Sequence, residues 1–269
     1  MEEESNENIT FEVVESVKDS ISVPKIIFIV PYRDRSQQQQ FFALHMKTIL
    51  SGLDANDYKI YYSHQCDKRE FNRGAMKNIG FLTMKEKYPN DYQNITFVFN
   101  DVDTMPFTPN FLQYETTIGK IKHFYGYEFA LGGIVSIKGA DFERICGFPN
   151  LWTWGYEDNL IQSRAVKAGL IIDRSQFYPI MDQNILHAKD GLTRIINRGE
   201  YDRYINDTKE GITGIHDLQY VIDENTGFIN VHKFNTEIVL DTNKNQVHDI
   251  RTGNHPFRNN RRGVMRMMM

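Results

Sequence analysis

Phe97-Val98-Phe99-Asn100-Asp101-Val102-Asp103 is the stretch whose reading decides the fold. An apolar run of β-branched and aromatic residues has the composition of a buried strand, and this one runs directly into two carboxylates. In an open α/β sheet, ligands bind outside the carboxyl ends of the strands. Asp101 and Asp103 stand two residues apart, so both side chains face one crevice if strand geometry persists. Paired carboxylates there suit a hard divalent cation that also holds phosphate oxygens. Taken alone, an Asp-x-Asp also reads as a solvated turn after a strand. The rest of the chain separates the two readings.

Upstream, Lys25 to Val30 is a continuous apolar strand ending in Pro31-Tyr32-Arg33-Asp34-Arg35, which places two cations at a strand's carboxyl end. The periodicity predicts a helix over 36–50, with Phe42, Met46, Ile49 and Leu50 turned inward. Lys59 to Tyr62 reads as a second strand. Phe71-Asn72-Arg73-Gly74 opens another helix, with Met76, Ile79, Gly80 and Met84 at helical spacing. Downstream, a helix is expected over 110–122. Phe129 to Ile137 is an apolar run holding Gly132-Gly133, where a backbone must pass close to something. A short helix is read at Asp141 to Cys146. A further one starts at Glu157, with Ile161, Ala165 and Ala168 on one face and Gly169 as its stop. Glu157 and Asp158 then lie in its first turn, where backbone amides and the helix dipole favour ionised carboxylates; the same acids also serve as capping residues. Residues 188–211 read as a mobile loop or lid. Tyr220 to Ile222, Ile229 to Val231 and Ile238 to Leu240 read as a terminal β meander. Alternating strands and helices imply an α/β domain with a mostly parallel sheet.

Composition agrees with that class. The chain has 269 residues, 41% hydrophobic and 25% charged, which suits one soluble α/β domain. The expected domain covers 23–250, between a flexible acidic arm at 1–22 and a basic tail at 251–269. The formal net charge of −4 argues against nucleic acid as the partner. The two cysteines, Cys66 and Cys146, make no disulfide framework. No apolar run approaches the roughly 18 residues of a membrane span, and no secretory leader is visible. The expectation is a soluble, cytoplasmic chain.

Four stretches, taken in order, carry a family resemblance. They are Val30 to Arg35, Phe71-Asn72-Arg73-Gly74 through Asn78 to Phe81, Asn100 to Asp103, and Gly147-Phe148-Pro149-Asn150 followed by Trp152 to Asp158. Together they resemble the β-1,4-galactosyltransferase family, inverting metal-dependent transferases of the GT-A fold, over about residues 25 to 225. The resemblance implies a Rossmann-like mixed sheet with flanking helices and a small C-terminal β element. It also implies a UDP-sugar donor, a glycan acceptor and Mn²⁺, with Mg²⁺ compatible. Pro31, Arg33 and Arg35 match donor-contacting positions, the arginines at the diphosphate and uridine. A guanidinium fork suits phosphate, although two loop arginines can also be merely solvated. Phe71 and Arg73 match residues on the uracil and ribose side. Asp101 matches a donor-contacting acid, with Val102 between it and Asp103, which matches a metal ligand. Tyr127 and Gly133 match positions near the donor sugar. His187 matches a metal-binding histidine, and Asn184 stands where the family has a methionine; an amide oxygen is a harder ligand than a thioether. Asp158 matches the catalytic base, Glu157 a residue that holds donor hydroxyls, and Trp154 a tryptophan that stacks on sugar and moves with a closing loop. Both tryptophans also read as core aromatics.

Several positions depart from the family pattern. Tyr156 replaces a glycine of the Trp-Gly-Gly-Glu-Asp-Asp signature, and Asn159 replaces its third acid, which bears on acceptor choice. Ala130 stands where galactosyl-transferring members carry a tyrosine, which implies room for an N-acetyl group and hence UDP-GalNAc or UDP-GlcNAc as donor. The anchor and the usual disulfide partners are lacking, which implies a stand-alone cytosolic enzyme of microbial or viral source. Two competing readings are a catalytically decayed sugar-binding protein on the same fold and a nucleotidyl or phosphoryl enzyme using Asp101 and Asp103. The second lacks a Gly-rich Lys-Ser/Thr phosphate loop.

Overall fold

The structure is a computed structural model, and it describes residues 22–188, 191–206, 209–239, 241–252 and 256–257. The expected arm and tail therefore fall almost wholly outside the described residues.

Strand β1 (Ile26–Tyr32) is buried along its whole length. Its side chains alternate between two cores: Ile27 and Ile29 enter one cluster, while Ile26, Phe28 and Val30 enter the other. A strand covered on both faces needs apolar residues at every position, which explains the unbroken run at 25–30. β2 (Tyr58–Gln65) and β3 (Thr96–Asn100) flank β1 in parallel. The crossover helix α1 (Ser36–Ile49) packs Phe42, Met46 and Ile49 on one face of the sheet. α2 (Arg73–Lys87) packs Met76, Ile79 and Phe81 on the other. These are the β-α-β units that the alternation implies.

The main sheet continues through β5 (Lys120–Gly126), β6 (Ile134–Lys138), β7 (Ile171–Asp173), β11 (His216–Asp223) and β12 (Phe228–Asn235). Its order is β11-β12-β2-β1-β3-β6-β5-β7, and β8 (Tyr178–Pro179) pairs with β5. The pairings are mixed: β3–β6, β5–β6 and β11–β12 are antiparallel and the rest are parallel. Two small ribbons lie apart, β4 (Thr104–Pro106) with β9 (Ile185–His187), and β10 (Thr193–Asn197) with β13 (Asn245–Asp249). α3 (Gly139–Arg144), α4 (Glu157–Lys167) and α5 (Arg198–Ile205) complete the helices used below.

Three expectations need correction. Residues 110–122 do not form a helix. Leu112, Tyr114 and Thr116 are buried while Gln113, Glu115 and Thr117 are exposed, an extended period of two, and β5 then begins at Lys120. Residues 188–211 are not simply a loop. They hold β10 and α5, the helix started by Asn197, whose side chain accepts from the Gly199 amide at 2.8 Å. The terminal meander is only a hairpin, because β12 pairs with β2 in the main sheet, and Ile238 and Val239 lie outside any strand; Leu240 falls outside the described residues. Cys66 and Cys146 are both free thiols.

One core residue makes stability pH-dependent. His123 on β5 is 1% exposed, with Arg174 Nε at 3.2 Å from its Nδ1. Burial and the Arg174 charge push its pKa down to about 4. The unfolded chain, with an ordinary histidine near 6.5, therefore binds more protons between those values, and stability falls as pH drops from about 6.5 to about 4. The expected loss is about 3 kcal/mol at one proton. Urea unfolding at pH 7 and pH 4.5 checks it, and His123→Gln should flatten the difference.

Candidate active site

The site begins where β3 ends. Buried Asn100 donates from Nδ2 to the carbonyls of Asp101 at 2.7 Å and Thr104 at 2.8 Å, holding the turn from inside. The Asp101 amide donates to Gly133 O at 3.0 Å. The turn is thus tied to both β4 and the glycine pair, and Asp101 and Asp103 are left half-buried beside buried Val102.

Arg73 draws the second set of carboxylates to the first. It is the first residue of α2, whose start is capped by Asn72 Oδ1 accepting from the Ala75 amide at 2.8 Å. Its Nη2 donates to both oxygens of Asp101 at 2.7 Å. Its Nη1 donates to Glu157 Oε1 at 2.6 Å and to both oxygens of Asp158 at 3.0 Å. One guanidinium therefore joins the end of β3 to the start of α4. Burial opposes the Arg73 charge, but Asp101, Asp158 and Glu157 outweigh it and raise its pKa.

Glu157 and Asp158 are pushed apart. Burial raises Glu157, Arg73 opposes this, and the Asp158 charge adds to it, so Glu157 holds its proton to higher pH. Its Oε2 is buried with no hydrogen-bond partner, a costly place for a full negative charge. For Asp158, burial works upward, but Arg73 and Lys77 prevail and leave it below the ordinary carboxylate range. Strongly perturbed acids gathered in one cleft mark a candidate functional site. Gly132 lies against the lower one: a methyl group at 132 would stand 2.4 Å from Asp158 Oδ2. The next residue, Gly133, has φ +67° and passes the Tyr125 carbonyl, where a Cβ would come within 2.4 Å. This is the close backbone approach that the glycine pair implies.

Asp103 meets His187 across the β4–β9 ribbon, whose register sets Thr104 opposite His187. The Nε2–Oδ2 separation is 3.8 Å. The Tyr125 hydroxyl, 3.1 Å from Nδ1, orients the ring, as outer partners of metal-bound histidines do. A carboxylate and an imidazole so oriented fit a divalent first-row cation such as Mn²⁺. Asn184 is drawn away. Its Nδ2 donates to Asp182 at 2.9 Å, and its carbonyl accepts from Phe107 at the far end of the ribbon from Asp103. Among the described residues, no group of three or more His, Cys, Asp and Glu could hold a metal, so a cation here would take its remaining ligands from water or substrate oxygens.

The first stretch of cations lies at the end of β1. Arg33 donates to the Arg69 carbonyl, and its guanidinium carbon is 5.4 Å from the Phe71 ring centroid. Arg35 stands at the start of α1, and buried Pro31 pairs with Ser63. Exposed Tyr127 stacks on exposed Phe129 at 5.1 Å. Trp154 is 45% exposed, unlike buried Trp152, and lies 6.3 Å from His248. Its amide donates to Ile195 O at 2.8 Å, tying it to β10. Tyr156 adopts φ +71° where the family signature has glycine, and its ring stacks on Tyr204 at 4.7 Å.

Comparison with known proteins decides the family. The sequence family described as the N-terminal region of glycosyl transferase group 7 matches residues 1–114, and the one described as the N-terminal domain of galactosyltransferase matches residues 113–188. The chain belongs to glycosyl transferase group 7. This transferase is 29% identical over 219 residues to the xylosylprotein 4-beta-galactosyltransferase of Caenorhabditis elegans, covering 75% of this chain and 73% of that protein. It is 31% identical over 218 residues to beta-1,4-galactosyltransferase 1 of Mus musculus, covering 77% of this chain and 53% of that protein. The group 7 chain thus spans about half the length of the mouse relative. In fold it is similar to the catalytic domain of Drosophila beta1,4galactosyltransferase 7 in complex with xylobiose, with TM-score 0.63 and 22% identity over 82% of this chain and 97% of that one. A form of the same enzyme with manganese, UDP-Gal and xylobiose gives TM-score 0.61. The transferase therefore has the GT-A fold. Among its described residues, no helix is long and apolar enough to cross a membrane.

Sequence reasoning missed three residues of this transferase's site. Asn100 sits inside a strand pattern, Tyr125 between the helix expected over 110–122 and the apolar run at 129–137, and Lys77 inside an apolar helix face. Lys77 alone left a signal: a lysine one helical turn after Arg73, on the same face.

Proposed function

We propose that the chain is an inverting, Mn²⁺-dependent transferase that moves galactose from UDP-galactose to a sugar hydroxyl of a glycan acceptor. The observation that carries this reading is Arg73, which holds Asp101 beside the Asp103–His187 pair and Asp158 on its other side. This supports a single cleft for donor and base. Asp158 takes the proton of the acceptor hydroxyl as that oxygen attacks the anomeric carbon. The bond to the UDP oxygen breaks with its electron pair, and attack from the opposite face inverts the centre. The transition state is oxocarbenium-like, as in glycoside hydrolysis, so the base must be ionised and well placed rather than strong. Glu157, paired with Arg73 at 2.6 Å, faces the donor hydroxyls beside Asp101, Val102 and Gly133. Arg33, Arg35, Pro31 and Phe71 receive the diphosphate and uridine, and Trp154 and Tyr127 supply sugar-stacking surface. Asp103 and His187 would hold the cation, which when bound supplies positive charge to the departing diphosphate.

The donor reading extends to N-acetylhexosamines, because Ala130 offers only a methyl group beside the glycine pair. Its amide donates to Tyr127 O at 3.1 Å and its carbonyl accepts from Gly132 at 3.0 Å. The test is UDP release from UDP-Gal, UDP-GalNAc and UDP-GlcNAc with Mn²⁺, against xyloside and N-acetylhexosaminide acceptors. Acceptor-stimulated UDP release supports transfer. Donor binding with no release, even to water, would favour a decayed binding protein, and release of pyrophosphate would favour a nucleotidyl enzyme.

A substitution at the glycine beside the base isolates positioning. Gly132→Ala should lower kcat by roughly 10- to 100-fold, since about 1 Å of displacement of a reacting group has that effect. Melting temperature and donor affinity should change little. An unaltered kcat would show that Asp158 need not lie where Gly132 holds it.

A further inference from the structure

Lys77 is 2% exposed, and a lysine is almost never so buried without a partner. It lies one turn after Arg73 on the inward face of α2, among Ala75, Met76 and Ile79, which are fully buried apolar residues. Packing alone would be served by another methionine or leucine there. Its Nζ instead donates to Asp158 Oδ1 at 3.3 Å and lies 4.2 Å from the centroid of the Phe148 ring. The Phe148 face supports a cation from below, so the ammonium is held between a ring and the carboxylate.

We infer that Lys77 is a positioning residue for Asp158: it pins Oδ1 and supplies the second positive charge that three clustered carboxylates require. The inference rests on the reading of Asp158 as the base and deepens it. Asp101, Glu157 and Asp158 against Arg73 alone would leave two surplus negative charges in a half-buried cleft; Lys77 reduces that to one. Arg73 cannot do this alone, because its guanidinium is divided among all three acids, whereas Lys77 is directed at Asp158. The charged and titratable groups coupled to Asp158 are Arg73 and Lys77 from α2, Glu157 on its own helix and His123 from β5, with Asp101 from the end of β3 sharing Arg73 with it. Of these, Lys77 is the cation that can be removed without unpairing Asp101 and Glu157. Its own pKa is lowered, by burial first and then by Arg73, against the pull of the three acids.

The experiment is the pH profile of kcat/KM for the Mn²⁺-loaded enzyme, measured for wild type, Lys77→Met and Lys77→Gln, with UDP-galactose affinity read by calorimetry and folding by melting temperature. Methionine keeps the shape without charge, and glutamine keeps a donor without charge. In both, the acidic limb should move up by about one pH unit, as loss of a cation within 4–6 Å of a carboxylate predicts. That is about a tenfold loss of kcat/KM on the acidic side. At the alkaline plateau the change should be small, and donor affinity should stay within about twofold. An unmoved acidic limb in a folded variant overturns the inference, as does a loss uniform across pH. If neither variant folds, Lys77 is structural and the inference also fails. Asp158→Asn is measured alongside. Full activity there removes the base assignment itself, whereas an inactive Asp158→Asn with unmoved Lys77 profiles removes only the role of Lys77.

Discussion

Asp158→Asn is expected to lower sugar transfer by on the order of 1,000-fold, while leaving UDP-galactose affinity nearly unchanged. The substitution keeps the shape of the side chain and an oxygen for Arg73 and Lys77, which now contact Asp158 at 3.0 and 3.3 Å. It removes only the negative charge that receives the acceptor's proton. The remaining charges, Asp101 and Glu157 against Arg73 and Lys77, balance, so folding should be retained. An interaction used only in the transition state lowers kcat and kcat/KM together and spares binding. Initial rates at saturating donor, with calorimetric titration of UDP-galactose, read both quantities. Transfer at the wild-type rate would place the base elsewhere.

Asp103→Asn is expected to weaken Mn²⁺-dependent donor binding by on the order of 100-fold or more, since even second-layer partners of metal ligands are worth 10- to 100-fold. The β4–β9 register and the Tyr125 hydroxyl fix where His187 stands, 3.8 Å from Asp103. The variant keeps that frame but offers an amide where a hard cation prefers a carboxylate. EDTA treatment of the wild type should reproduce the loss, and added Mn²⁺ should restore it. Calorimetry with and without Mn²⁺ checks the prediction, and donor binding that is indifferent to EDTA would refute the metal pair.

Much of this could be read from the chain because the deciding signals are local. Continuous apolar runs gave β1 and β3, buried on both faces. Helical spacing gave α1, α2 and the start of α4 at Glu157. The glycine pair at 132–133 announced a close approach, which proves to be Asp158 on one side and Tyr125 on the other. What could not be read depends on partners distant in sequence. β10 exists because it pairs with β13, some fifty residues later, and nothing within 193–197 declares that. Residues 110–122 have enough apolar side chains for a helix, yet Leu112, Tyr114 and Thr116 alternate inward beneath the sheet. The same limit applies to the site. The acids were legible as motifs, but their convergence on Arg73 is a property of where α2, β3 and α4 meet. Lys77 and Tyr125, which contact Asp158 and His187, sit in segments that carry no motif of their own.

The central claim is a single displacement in which Asp158 directs the acceptor oxygen to the face opposite the diphosphate. Proton NMR of the disaccharide formed from UDP-α-galactose tests it most directly. The account predicts an exclusively β-linked product, with the large anomeric coupling of that configuration. An α-linked product would contradict it.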